Sequence, residues 1–187
     1  MNVGLGMYKK EFKLAIERTQ AFGLDFPEFA YSDDKLLTSE FLSSFSTLFT
    51  RCIGQPNVDE LVCQCLLVHF LLQKPLSELV GATCVLTIGY IEDNNRLRFY
   101  QSEDDLFKMM KEGVKSSSLN IHAWLTLPSM EIIDVSFLTS YAVINNITEG
   151  LGAVIAQHPD NMSDGLKYHP MLIGDEFLRK SGALIEF

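Results

Sequence analysis

Apolar positions recur at helical spacing through the first 74 residues, and the pattern changes to strand alternation from about residue 83. In 8–22 the apolar positions are Phe12, Ala15, Ile16 and Phe22, and Gly23 ends the run. Residues 24–34 form a loop around Pro27. Thr38-Ser39-Glu40-Phe41 opens a second helix that reaches about Cys52 and stops at Gly54. Gln55-Pro56 is a break, and Asn57-Val58-Asp59-Glu60 has the form of a capping box. The spacing therefore predicts a third helix over 58–74, with Pro75 as its stop. Its apolar residues fall on nearly every side, which marks it as the central buried helix.

Beyond it, 83–91 is β-rich, Glu92-Asp93-Asn94-Asn95 turns the chain, and 96–101 returns with alternation. A short helix is predicted over 104–112, ended by Gly113, followed by a polar loop at 115–118. Segments 119–127 and 130–135 read as a hairpin about Pro128-Ser129. The signal over 139–156 is ambiguous and broken by Gly150 and Gly152, 158–169 reads as a polar loop, and 174–187 as a short helix and an end strand. Helices followed by an antiparallel meander argue an α+β fold: N-terminal helices, with a central buried helix packed on an antiparallel sheet. The length of 187 residues fits a single domain over 1–187, and no repeat or linker divides it.

Composition narrows the partners. Net charge is -9, from 24 acids against 15 bases, which disfavours nucleic acid and an anionic membrane surface. The first residues lack the basic-then-apolar order of a secretory signal, and the most apolar run, 58–72, is interrupted by Asp59, Glu60, Gln64 and His69. Four irregularly spaced cysteines do not make a disulfide scaffold in a chain of this size. Reduced thiols in a cytoplasmic protein are expected, with export by a signal-free route left open.

The candidate chemistry follows from cysteine, histidine and aspartate in that chain order. Cys63 and Cys65 lie in the apolar run and are the candidate nucleophiles; Cys52 is a remoter one. Either could equally be a small buried hydrophobe. If the helix starts at Val58, Cys65 lies about two turns inside it, where the dipole has faded. Strand alternation puts His122, Trp124 and Thr126 on one polar face, with His122 as candidate base and Trp124 as candidate substrate contact. Pairing around Pro128-Ser129 joins positions whose numbers sum to about 257, so His122 and Asp134 fall almost opposite each other. The histidines show no metal-ligand spacing and no phosphate loop occurs, so no metal or cofactor is expected.

These residues resemble the transglutaminase-like group of the papain-like cysteine enzymes. The resembling motifs are Cys65-Leu66-Leu67, Gly81-Ala82-Thr83, Gly89-Tyr90-Ile91, His122-Ala123-Trp124-Leu125 and Ile133-Asp134-Val135-Ser136, within a core over about 57–137. Two features depart from the family: Thr83 stands where an arginine is usual, and Pro75-Leu76-Ser77-Glu78 lengthens the helix-to-strand link. The resemblance implies thiol-dependent acyl chemistry on amide or thioester bonds, by hydrolysis or amine transfer. Cys65 or Cys63 would attack, His122 would move the proton, and Asp134 would orient the imidazole. It implies a peptide, protein or small amide as substrate. Two alternatives stand beside it, a catalytically inactive interaction module with the same fold and an acyl transferase of the arylamine N-acetyltransferase type.

Overall fold

The computed structural model describes residues 6–62, 64–114, 119–163 and 165–183. In chain order the elements are α1 (Met7–Ala21), α2 (Ser39–Ile53), α3 (Val58–Leu61), α4 (Cys65–Val80), β1 (Val85–Asp93), β2 (Arg96–Arg98), α5 (Glu103–Glu112), β3 (His122–Thr126), β4 (Ile132–Asp134), α6 (Phe137–Ile144), β5 (Ile155–Gln157), a 3-10 turn at Pro159–Asn161, β6 (Leu166–Ile173) and α7 (Glu176–Ser181). Helices and antiparallel strands make an α+β fold. Among the described residues, no helix is long and apolar enough to cross a membrane.

The first two helices form where their patterns place them. α1 buries Tyr8, Phe12, Ala15 and Thr19 along one stripe. α2 is capped by Thr38, whose hydroxyl accepts the Phe41 N–H at 3.1 Å, and it buries Phe41, Phe45 and Leu48. The third helix departs from the expectation at both ends. The chain makes one turn at α3, breaks, and starts again at Cys65, where Gln64 caps with non-helical angles (φ -103°, ψ 17°). It then runs through Pro75 to Val80. A proline costs the carbonyl four residues earlier its helical donor, and here that residue is Leu71, on the exposed side where water can replace the bond. The stop comes instead at Gly81, whose left-handed φ of 73° a residue with Cβ would resist.

The fold divides into two compact units. Unit 1 comprises Met1–Pro27, Thr87–His122 and Pro159–Phe187; unit 2 comprises Glu28–Leu86 and Ala123–His158.

In unit 1, β1 turns back into β2 through Asn94 and Asn95, both at positive φ, and pairs with β6 on its other edge. The pattern reads 158–169 as a loop, yet β6 begins within it at Leu166. Within β6, Pro170 opposes Gly89 where the register shifts by a bulge, the place a strand tolerates a proline. α1 packs on β6, and α5 packs on α7. α5 carries a full capping box from Ser102 and Asp105.

In unit 2, β3 pairs with β4 (Leu125 with Ile133) and β4 with β5 (Ile133 with Ala156), while α2 packs on α4. The ambiguous segment 139–156 takes part in α6 and β5. Between β3 and β4 lies the buried Glu131, whose Oε2 accepts from the Leu36 and Leu37 N–H groups at 2.7 and 3.0 Å and from the Ser129 hydroxyl at 2.7 Å. That carboxylate fastens the segment leading into α2. The polar loop at 115–118 and the last residues, 184–187, where an end strand was expected, lie outside the described residues.

Candidate functional site

Cys65 is the first residue of α4 and is buried, with 7% of its surface exposed. The break after α3 therefore reverses the expectation that it lies two turns inside a helix. At a helix N-terminus the backbone dipole favours negative charge, the field a thiolate needs. Cys63 falls outside the described residues. Cys52 lies in the last turn of α2, the end where the dipole opposes a thiolate, and it lines a groove of about 440 Å³ with Ile53, Pro56, Leu67 and Leu71. Cys84 is fully buried, and desolvation pushes its thiol up to about 12, against a smaller pull from the Ser77 hydroxyl. It is a core residue.

Asp134 ends β4 and is 1% exposed. Its Oδ1 accepts from the Ser136 N–H (3.0 Å), the Phe137 N–H (3.0 Å) and the Ser136 hydroxyl (3.2 Å). These are the donors at the start of α6, so the carboxylate caps that helix. The burial of this acid is met by donors, as a buried charge requires.

The side chain that joins Cys65 to the Asp134 strand is His69, a residue the sequence pattern did not single out. It is fully buried, one turn after Cys65. Its Nδ1 bonds the Cys65 carbonyl at 2.7 Å, and its Nε2 bonds the Val135 N–H at 3.0 Å. A carbonyl can only accept and an amide N–H can only donate, so the ring is the neutral tautomer with its proton on Nδ1. The Asp134 Oδ1 lies 3.6 Å from Nε2, beyond hydrogen-bond length. His69 thus spends both nitrogens on backbone, and it braces the start of α4 against the end of β4. One signal could have found it: a polar residue four positions from Cys65, on the same face of an apolar helix, must have a buried partner.

His122, the first residue of β3, is 2% exposed, and its ring stacks on Phe99 of the same unit at 5.0 Å and 22°. The polar, solvent-facing strand surface expected around it does not exist. All five residues of β3 are buried, and Trp124 and Thr126 are fully so, as in a strand covered on both faces. The β3–β4 register joins Leu125 to Ile133 and Thr126 to Ile132. Extended by one residue, it sets Asp134 level with position 124, two residues along the strand from His122.

Among the described residues, no group of three or more His, Cys, Asp and Glu side chains is placed to hold a metal ion. No family model, curated protein or solved structure matches the chain.

Proposed function

We propose that the chain performs thiol-dependent acyl chemistry on amide or thioester bonds, with Cys65 as nucleophile, His122 as base and Asp134 as the orienting carboxylate. The observation that carries the reading is the position of Cys65 at the start of α4. A thiol at the start of a 16-residue helix has the electrostatic help that a mid-helix cysteine lacks. The assignment of His122 and Asp134 to their roles rests on the resemblance of the His122-Ala123-Trp124 and Ile133-Asp134-Val135 segments to the transglutaminase-like pattern.

In this reading His122 removes the Cys65 proton and the sulfur attacks the acyl carbon. The carbonyl oxygen gains negative charge, which backbone N–H groups of the first turn of α4 stabilise. The imidazolium returns the proton to the leaving amine or thiol, and water or a second amine releases the acyl group. His69 holds the backbone of Cys65 in place throughout.

One feature favours a second reading, a module that keeps the fold without catalysis: Asp134 already serves α6 as a cap through three donors to Oδ1. Activated esters, a peptide-amide library and acyl thioesters discriminate the readings. The enzyme reading expects an acyl adduct on Cys65 by mass spectrometry. It also expects turnover that falls by about 10³-fold or more in both Cys65→Ala and His122→Ala. Turnover confined to acyl thioesters would mark the arylamine N-acetyltransferase type. No adduct with any donor, or turnover indifferent to both substitutions, would leave the interaction module.

A further inference from the structure

Far along the chain from Cys65, unit 1 holds a histidine with a carboxylate at each ring nitrogen. His169 of β6 bonds Glu11 of α1 through Nδ1 at 2.9 Å, and its Nε2 faces Glu92 of β1 at 3.5 Å. The ring stacks on Tyr90 at 4.6 Å and 13°, opposite which it is registered in the β1–β6 pair. The Nε2 atom is buried without a hydrogen-bond partner. Carboxylates only accept, so the ring meets both of them fully only when both its nitrogens carry protons. In the neutral ring one nitrogen becomes a lone pair, and the arrangement points it at a carboxylate.

The surrounding charges sharpen the dependence. Glu92 also accepts from Lys167 of β6 at 2.9 Å, and that bond is the main cause holding its carboxyl below the usual range. Tyr90 is pushed up, first by burial and then by the nearby Glu11, Tyr100 and Glu92, with Arg18 opposing, so it stays neutral through the physiological range. Glu11, Glu92, Lys167 and a protonated His169 sum to zero charge; a neutral His169 leaves one net negative. Two further ties from α1 to β6 are insensitive to pH near neutrality. Arg18 donates to the Met171 carbonyl at 2.8 Å, and the Thr19 hydroxyl accepts the Ile173 N–H at 3.0 Å.

We propose that His169 is a proton-operated clamp that fastens α1 to the β1–β6 pair. The clamp is complete only while both ring nitrogens carry protons, so its contribution is largest on the acid side and weakens as pH rises. Opening it loosens the wall of a cavity of about 330 Å³ that Tyr8, Glu11, Lys167 and His169 share.

The test compares melting temperatures of the full chain, His169→Gln and Glu92→Gln across pH 5.5 to 8. The full chain should melt above His169→Gln by about 2–4 °C at pH 5.5, and the gap should shrink by at least half at pH 8. In Glu92→Gln the side-chain amide can donate to a neutral Nε2 or accept from a protonated one, so pH dependence should flatten. A gap that is constant or widens with pH overturns the proposal. Should His169→Gln fail to fold, nitrogen-detected NMR of the unsubstituted chain decides. Both His169 nitrogens protonated at pH 5.5, changing to the Nδ1–H tautomer by pH 8, supports the clamp; a ring neutral throughout refutes it.

Discussion

His69 shows how a single residue sets the geometry of the candidate site. It contributes no proton transfer in the arrangement described, because Nδ1 and Nε2 are bound to the Cys65 carbonyl and the Val135 N–H. Its loss should act through an orphaned donor. His69→Phe fills the space yet leaves the Val135 N–H buried without an acceptor, at a cost of about 1–3 kcal/mol. Denaturant unfolding should show a lowered midpoint of that size with an unchanged slope; an unaltered midpoint would mean that the brace carries no weight. Glu131 is a second such residue. Sequence reasoning passed over both, because their importance lies in backbone donors brought from distant positions: Val135 for His69, Leu36 and Leu37 for Glu131.

At the scale of elements, the decisive event is the interruption of one apolar run into α3 and α4. The capping signal at Asn57 correctly starts a helix at Val58, but nothing local announces its end at Leu61. Pro75 misled in the other direction, since its cost is borne on a wet side of α4. That cost is testable. Pro75→Ala restores a donor to the Leu71 carbonyl, and the net difference between the two residues in a helix interior, about 3 kcal/mol, is an upper bound where water already meets that carbonyl. A net gain within that bound in denaturant unfolding is expected, and a destabilised variant would show that Pro75 is needed for packing. Much of the remaining plan was legible: α1, α2 and α5 from periodicity and caps, and the β3–β4 hairpin from its alternation. β6 was not, because its first residues continue a stretch rich in Asp, Asn and Gly that reads as loop throughout. The sequence offers candidate residues but does not reveal their surroundings. β3 alternates as a half-exposed strand would, yet it is buried on both faces.

At the scale of the whole molecule, each unit is assembled from separated stretches of chain, and the candidate residues follow that division: Cys65, His69 and Asp134 belong to unit 2, while His122 closes a segment of unit 1. The proposed chemistry requires a reactive thiol at Cys65. Its most direct test is the rate of iodoacetamide labelling at each cysteine of the folded chain near pH 7, read by peptide mass spectrometry. Cys65 should label at least about tenfold faster than Cys52, while Cys84, its thiol at about 12, stays unlabelled. His122→Ala should bring Cys65 down to the rate of Cys52. Equal slow labelling of Cys65 and Cys52, unchanged by His122→Ala, would contradict the account.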